Sequence, residues 1–278
     1  MIIKIVIDNN PSETYPDLLS EHGLSIYFEK DGRKYLLDTG ASGKWAENAR
    51  NMGIDAEDIG HLILSHGHID HTGGLPAFFR LNGQADISAS DKIKRHKYLS
   101  YRHENVKDLS PDSVLLSNNA SRMKFLEKDF SLAPGIELIY NKSSEYPVPA
   151  GNRYLHIIDK GRELPYKGDD EIAVSCSTDK GLVILSSCSH CGILNIIKSC
   201  TSASGIDKVT AFIGGLHLLD SESGDGDDNE ETARTVNSLY PEMELYTGHC
   251  TGEKAFGIFR KHLGEKLHRI HSGMEITV

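Results

Sequence analysis

Apolar and polar positions along the first quarter of the chain predict strands and helices in turn. Two apolar segments, 24–29 and 34–38, predict paired strands joined by an Asp-Gly turn. A helix is predicted over 44–52, followed by Gly53 as its C-cap. Residues 61–65 then predict a short buried strand. The polar segment that follows this strand should therefore lie at the carboxyl edge of a sheet, where open α/β sheets bind their ligands.

The middle of the chain, residues 85–167, has a weaker pattern. It begins with a predicted strand at 85–90 and a predicted helix at 91–101, then becomes polar and irregular. Residues 147–151 contain two prolines and a glycine, which indicate an extended, turn-rich segment. We interpret most of this region as an insertion that shapes the mouth of a site, and not as a separate domain.

Regular structure returns after the middle segment. Strands are predicted at 171–176, 181–186, 208–213 and 243–247, and helices at 193–201 and 230–240. A β-rich segment followed by βα units thus occurs on either side of the irregular middle. This order predicts an α/β fold, namely an αββα sandwich formed as a single domain over residues 1–278.

Composition and charge mainly exclude classes of function. The formal net charge is −10, so the chain should be repelled by nucleic acid. No apolar run approaches the roughly 20 residues that a bilayer span needs, and the strand-like N-terminus lacks signal-peptide features. The five cysteines are an odd number, which does not suggest a disulfide framework. We therefore expect a cytoplasmic protein without nucleic-acid or membrane partners.

Three local features remain open to a second interpretation. The basic cluster 92–97 is interpreted as a solvated helix face, with attraction of a phosphorylated substrate as the alternative. The acidic segment 220–231 lacks the glycine and glutamate spacing of a calcium-binding EF-hand, which favours a solvated loop. Cys188 and Cys191 have the spacing of a redox or zinc pair, but no second pair completes a four-cysteine site.

The strongest chemical signal is His66-x-His68-x-Asp70-His71, directly after a predicted strand. Imidazole and carboxylate groups suit first-row divalent ions. His66 and His68 project in the same direction if the chain is extended, whereas Asp70 and His71 follow a turn and can face a second ion. The spacing predicts a metal centre, most simply a dinuclear one. Zinc is our first expectation, with manganese or iron as alternatives.

These residues also carry a family resemblance. Ser-His-Gly-His-Ile-Asp-His-Thr-Gly-Gly at 65–74 resembles the signature loop of the metallo-β-lactamase superfamily, as does Asp-Thr-Gly at 38–40. Further blocks resemble the branch that contains dihydropterin–ribofuranosylaminobenzene-phosphate synthases, enzymes of methanopterin assembly; they lie at 21–25, 187–193, 214–218 and 248–252.

The resemblance implies roles for individual residues. It implies that His66, His68, Asp70 and His71 bind metal, and it adds His190 and His249 as ligands. Asp70 is also expected to orient an attacking group, and His217 to contact substrate or transfer a proton. Glu21, His22 and Cys188 are further candidate substrate contacts.

The chain departs from the β-lactamase pattern at two places. It has no Gly-His-Thr-x-Gly block before His190 and no Gly-Asp block after the later strand, where Cys188 or His190 stands instead. This argues against β-lactamase activity. We expect a metal-dependent enzyme acting on a phosphorylated, pterin-like small molecule by a transfer reaction. The alternatives are a hydrolase of phosphodiesters or lactones, and a non-catalytic metal- or pterin-binding module.

Overall fold

Most of the predicted strands and helices are present at or near their predicted positions. The structure is a computed structural model that describes residues 1–12, 14–102, 104–220 and 227–278. The strands of the described residues are β1 (Ile2–Ile7), β2 (Ser25–Lys30), β3 (Arg33–Leu37), β4 (His61–Ile63), β5 (Asp86–Ser90), β6 (Lys97–Ser100), β7 (Lys107–Asp108), β8 (Met123–Leu126), β9 (Phe130–Ala133), β10 (Ile136–Tyr140), β11 (Leu155–Asp159), β12 (Arg162–Pro165), β13 (Ile172–Thr178), β14 (Gly181–Leu185), β15 (Val209–Ile213), β16 (Glu244–Thr247), β17 (Leu267–Arg269) and β18 (Glu275–Thr277). The helices are α1 (Lys44–Asn51), α2 (Ile69–Thr72), α3 (Leu75–Leu81), α4 (Ser113–Asn118), α5 (Ile193–Ser204), α6 (Asp227–Leu239) and α7 (Glu253–Leu263).

Unit 1 consists of Met1–Glu127, Leu155–Leu164 and Ile270–Val278. Its main sheet has the strand order β18-β1-β2-β3-β4-β5-β8, in which β3, β4, β5 and β8 are parallel. Trp45 of α1 and Phe78 of α3 join the sheet residues in one buried core. The parallel arrangement brings the loops after β3 and β4 to the same edge of this sheet.

Unit 2 consists of Lys128–Tyr154 and Pro165–Arg269. Its sheet has the order β17-β16-β15-β14-β13-β10-β9, and β14 to β17 are parallel. Helices α5, α6 and α7 contribute buried apolar side chains to a core with the sheet. The three loops after β14, β15 and β16 consequently start at one edge. We name them the Cys188 loop (186–192), the His217 loop (214–219) and the His249 loop (248–252).

The hairpin predicted near residue 30 is confirmed. Strands β2 and β3 are antiparallel, and Asp31 and Gly32 between them have φ of 52° and 73°. Two consecutive positive φ values form the type I′ turn that matches the twist of a hairpin. The predicted helices at 44–52, 193–201 and 230–240 correspond to α1, α5 and α6.

The helix predicted over 91–101 is wrong. Residues Asp91–Lys94 form a single 3-10 turn, and Lys97–Ser100 are strand β6, which pairs antiparallel with β11. Tyr98 lies opposite Ile157 in that pairing and is fully buried. Because β11 lies more than fifty residues later in the chain, this long-range pairing overrides the local helical composition.

The middle segment is more regular than its polar sequence indicates. It contributes β5 and β8 to the main sheet of unit 1, and β6, β7, β11 and β12 to a separate four-stranded sheet. Its effect on the mouth of a site stays a prediction, as does the single domain over 1–278. Of the acidic segment 220–231, residues 221–226 lie outside the described residues. None of the helices among the described residues combines the length and apolar character that crossing a bilayer requires.

Candidate metal centre

The histidine loop of unit 1 (65–74) follows β4 and contains the short helix α2. His66, His68 and His71 are 1%, 4% and 0% exposed, whereas the Asp70 side chain is 16% exposed. The prediction that this loop begins at the carboxyl end of a buried strand is confirmed. Three buried imidazoles side by side need polar partners, because burying an unpaired polar group costs free energy.

Asp38 supplies one of those partners. Its carboxylate accepts hydrogen bonds from the Ser65 backbone N–H at 2.7 Å and from the Ser65 hydroxyl at 2.6 Å, and its Oδ2 lies 2.8 Å from His71 Nδ1. A carboxylate on Nδ1 fixes the ring orientation and directs Nε2 towards a ligand. Although Asp38, His66 and His71 all have ligand atoms within 4.8 Å of one another, we interpret Asp38 as the group that orients His71.

Asp70 approaches the other side of the same ring. Its Oδ2 lies 3.4 Å from His71 Nε2. Burial lowers the pKa of His71, but the charges of Asp70 and Asp38 outweigh burial and raise that pKa to about 10. For His66, burial and then the charge of His71 lower the pKa to about 3, so its imidazole is neutral. A neutral imidazole is the form that binds a metal ion.

The spacing of His66 and His68 fits two ligands of one ion. His66 Nε2 lies 3.0 Å from His68 Nδ1, while His66 Nδ1 lies 2.8 Å from the Ser65 hydroxyl. Two nitrogens bound to a tetrahedral ion at about 2.0–2.1 Å would be about 3.3 Å apart. The donor types, their burial and this spacing therefore suit a divalent metal ion.

Close packing explains the glycines of the histidine loop. A Cβ on Gly67 would lie 2.3 Å from the Tyr98 ring. At Gly73 and Gly74 a Cβ would lie 2.2 Å and 2.1 Å from the carbonyl oxygens of Ala41 and Thr39, respectively. No side chain fits at such distances, so glycine is required by the packing of the loop against its neighbours.

In unit 2, the Cys188 loop and the His217 loop bring three candidate ligands together. Cys188, His190 and His217 each offer a ligand atom within 4.8 Å of the other two, and all three are buried. The His190 and His217 rings are 4.1 Å apart between centroids. His249 also belongs to this region, since its Nε2 lies 3.3 Å from Cys188 Sγ.

Two side chains distant in sequence position His190. Asn152 donates to the His190 carbonyl at 2.7 Å, and its Oδ1 lies 3.1 Å from His190 Nδ1. Glu171 accepts hydrogen bonds from the backbone N–H groups of His190 and Cys191. Burial raises the pKa of Glu171 to about 7, against the effect of these two hydrogen bonds. With Nδ1 held by Asn152, the ring would coordinate a metal through Nε2.

The backbone of these loops adopts left-handed conformations at non-glycine residues. Ser189, His217 and His249 have φ of 62°, 52° and 48°. Each such residue costs free energy and persists only where the surroundings impose it. The His217 backbone N–H, for example, donates to Cys250 Sγ at 3.2 Å. Cys250 itself is buried, at 3% exposure.

Packing explains the glycine turn before His217. A Cβ at Gly214 would lie 1.7 Å from the Ser186 carbonyl oxygen, and one at Gly215 would lie 2.4 Å from Cys250 Sγ. The two glycines therefore allow the loops of unit 2 to pack against one another.

The predicted substrate contacts in unit 1 lie beside the histidine loop. One carboxylate oxygen of Glu21 accepts from the backbone N–H groups of Ala41 and Ser42, each at 3.0 Å, which holds the 39–43 loop in place. The side chain of His22 is 65% exposed, and its Nε2 lies 3.5 Å from Asp70 Oδ2. Contact of either residue with substrate stays a prediction.

Several other histidines have partners outside these clusters. His156, His262 and His268 each pair with a glutamate at 2.6–2.7 Å, and His61 Nε2 lies 2.9 Å from the Ser88 hydroxyl. His103 lies outside the described residues. All five cysteines are buried and none forms a disulfide, so Cys188 and Cys191 are not a disulfide pair. In the basic cluster, Arg95 pairs with Asp91 and Lys97 with Asp108.

The residues that position the candidate ligands were not predicted from the sequence. Asp38 appeared only as part of a resembling Asp-Thr-Gly segment, and Asn152, Glu171 and Tyr98 carried no signal. Asp38 could have been found, because an acidic residue at the end of one parallel strand lies close to the end of the next. The other three depend on long-range contacts.

Sequence comparisons relate the chain to a known family. The family model of the metallo-beta-lactamase superfamily matches residues 21–164. The chain is 32% identical to the 7,8-dihydropterin-6-methyl-4-(beta-D-ribofuranosyl)-aminobenzene-5'-phosphate synthase of Methanocaldococcus jannaschii, over 91% of this chain and 89% of that protein.

Solved structures give the same fold. A metal-dependent hydrolase of the beta-lactamase superfamily superposes with a TM-score of 0.83 at 27% identity, covering 100% of this chain and 99% of that one. The short form of human tRNase Z, at 12% identity and a TM-score of 0.55, covers 100% of this chain and 99% of its own, and shows the fold alone. The predicted α/β metallo-β-lactamase fold is thus confirmed. The chain belongs to the metallo-beta-lactamase superfamily.

Proposed function

We propose that this protein is a divalent-metal-dependent enzyme that transfers a group between phosphorylated small molecules, one of them pterin-like. The observation that carries the proposal is the buried set of His66, His68 and His71 beside Asp70, with His71 oriented by Asp38. The similarity to a named pterin-related synthase over 91% of the chain supports the substrate class.

The proposed metal ligands are His66, His68, Asp70 and His71, together with His190 and His249 on the strength of the sequence resemblance. When bound, divalent ions polarise a phosphoryl oxygen and offset the charge of a leaving diphosphate. We expect two ions per chain, with zinc first and manganese or iron as alternatives.

Cys188 is a candidate for two roles. We predicted a substrate contact, but its thiol lies 3.3 Å from His249 Nε2 and shares a cluster with His190 and His217. We therefore propose it as a further ligand at the place where related chains have a bridging aspartate. Its replacement by serine should lower metal affinity, because a thiolate is a far stronger zinc ligand than a hydroxyl group.

The proposed reaction is displacement of diphosphate by an arylamine. The carbon–oxygen bond to the diphosphate breaks, and its electron pair leaves with the diphosphate. The arylamine lone pair forms the new carbon–nitrogen bond, and the amine proton passes to a base. Asp70 would orient the reacting groups, and His217 is the candidate base because its imidazole lies within the unit 2 cluster.

The decisive experiment compares metal content and turnover in the wild type, His68→Ala and His262→Ala. His262 is the matched control, because it pairs with Glu230 and belongs to none of the groups of candidate ligands found among the described residues. Elemental mass spectrometry should find about two divalent ions per wild-type chain, fewer in His68→Ala and an unchanged number in His262→Ala. Diphosphate release from a pterin diphosphate should disappear only in His68→Ala. Full activity of metal-free His68→Ala would refute the proposal.

Hydrolysis is the second candidate, because the superposing structure at 27% identity is described as a metal-dependent hydrolase. The same experiment separates the two reactions. Transfer requires that diphosphate release depends on an added arylamine, whereas hydrolysis proceeds without one. Tight pterin binding with no turnover under any divalent metal would instead favour a binding module.

A further inference from the structure

Unit 2 contains a narrow recess that ends at His217. It is lined by the Pro-rich segment 147–151, by the first residues of α5, by the His217 loop and by the first turns of α6. All of these elements belong to unit 2. A recess that combines apolar walls with a few polar groups is the common form of a small-molecule site.

The walls of the recess are apolar and close together. Pro147 and Pro149 form one side, and Ile193 and Leu216 lie among the other lining residues. Gly192 has φ of 83°, and a Cβ there would lie 2.9 Å from the Pro147 carbonyl oxygen. The proline segment therefore lies directly against the start of α5.

The polar groups of the recess are concentrated on α6. Asn229 is only 6% exposed, and its side-chain amide forms no hydrogen bond with any residue that the structure describes. Asp228 stands beside it as an exposed carboxylate, and the lining residues include no lysine or arginine. Because Asn229 lines the recess, its amide can form hydrogen bonds with solvent or with a ligand there.

We propose that this recess binds the flat nitrogen heterocycle of the substrate and that Asn229 selects it. The amide offers both a donor and an acceptor, which match a ring edge carrying a carbonyl group next to an N–H. Asp228 can accept from a second N–H and disfavours an anionic group at this end. The phosphorylated part of the substrate would therefore lie elsewhere. This inference rests on the proposed function and extends it, because it names the recess beside α6 as the place where the heterocycle binds.

An acyl chain is the competing occupant, and the chemistry of the recess disfavours it. A hydrocarbon would expel water from Asn229 without replacing its hydrogen bonds. Sites that hydrogen-bond a substrate reject analogues lacking the matching group much more strongly than apolar pockets reject small changes in size. Asn229 should accordingly act as a specificity-determining residue, and not in the chemical step.

The test measures binding of 6-methylpterin and of octanoate to the full-length, metal-loaded protein by calorimetry. Asn229→Leu should weaken pterin binding at least tenfold, and octanoate binding should stay equal or become tighter. Asn229→Asp keeps the size and the acceptor but loses the donor, so it should weaken pterin binding to a smaller extent. Asn118→Leu is the matched control, since Asn118 is an exposed asparagine of α4.

The outcomes separate this inference from the proposed function. Metal content and circular dichroism of each variant show whether it is folded and loaded. If wild-type protein turns over a pterin diphosphate while Asn229→Leu and Asn229→Asp bind 6-methylpterin as the wild type does, the recess assignment is wrong and the function stands. Tighter wild-type binding of octanoate than of 6-methylpterin would also overturn it. If pterin binding depends on Asn229 but no metal-dependent turnover occurs, the proposed function fails and the recess assignment stands.

Discussion

The two histidine-containing regions of this protein are built in opposite ways. In unit 1, four candidate ligands lie within six consecutive positions of one loop, and a single carboxylate, Asp38, orients that loop. In unit 2, Cys188, His190, His217 and His249 come from three loops after three parallel strands. The first arrangement is a local property of the sequence, whereas the second exists only once the sheet has formed.

The difference also appears in the backbone. The histidine loop accommodates its close contacts with glycines, which have no Cβ to clash. The unit 2 loops place Ser189, His217 and His249 themselves at positive φ. Backbone strain of this kind persists only where the surrounding packing imposes it. We therefore expect unit 2 to be more sensitive to backbone changes, and unit 1 to changes in its orienting carboxylate.

The largest effect is expected from Gly214→Ala. The new methyl group would meet the Ser186 carbonyl oxygen, and φ of 142° is unfavourable for alanine. We predict a loss of at least about 4 kcal/mol in the free energy of unfolding, or failure to fold. Urea denaturation of purified protein measures the loss. Gly83→Ala is the control, since a Cβ added at Gly83 would meet no atom within 4 Å. A stable Gly214→Ala variant would contradict the packing argument.

The second-largest effect is expected from Asp38→Asn, which tests whether Asp38 orients His71. Asp38→Asn keeps the size of the side chain and tolerates φ of 60°, but it weakens the interaction with His71 Nδ1. Metal affinity should fall by about 10- to 100-fold, as for other orienting residues of metal sites. A competition assay with a chromophoric zinc chelator measures this change. Asp58→Asn, on a surface ion pair with Lys34, should leave the affinity unchanged. Equal affinities in both variants would show that Asp38 does not act through His71.

The third prediction concerns strain at His249. Asparagine adopts the left-handed region more readily than histidine does, so His249→Asn should raise the stability of the metal-free protein by about 1 kcal/mol. The same change should reduce the stabilisation that added zinc provides, because a proposed ligand is lost. Thermal unfolding with and without zinc tests both effects. A variant that is less stable without metal and equally stabilised by zinc would contradict them.

The smallest effect is expected on α7. Gly257 is exposed within this helix, and a Cβ there would meet no other atom within 4 Å. Gly257→Ala should therefore raise the free energy of unfolding by about 0.5–1 kcal/mol, because alanine favours the helix and restricts the unfolded chain. The sign is opposite to that for Gly214→Ala. Urea denaturation of the two variants tests whether the space around the added methyl group determines the sign of the change in the free energy of unfolding.

Local patterns predicted the parts of the molecule that are themselves local. The β2–β3 hairpin depends on Asp31 and Gly32, and the histidine loop follows directly from the apolar strand β4. The strand β6 was mistaken for a helix because Tyr98 finds its partner in β11. The pattern of neighbouring residues along the sequence does not predict such long-range contacts.

The same limit applies to the surroundings of the candidate ligands. His190 is held by Glu171 and Asn152, which are 19 and 38 positions away in sequence. The contacts of Gly214 with Ser186 and of Gly215 with Cys250 likewise arise only in the folded sheet.

Strand β18 has a consequence for the order in which the protein forms during synthesis. It pairs with β1, although almost the whole chain, including every residue of unit 2, separates the two. A ribosome therefore completes Arg269 before it makes the strand that covers β1. Until then β1 presents an unpaired edge, which invites pairing with other chains. Unit 1 of the nascent chain should therefore complete its main sheet only after the last residues, 275–277, have been synthesised. If synthesis stalls before Glu275, unit 2 is already complete, but unit 1 should be prone to aggregate through the unpaired edge of β1.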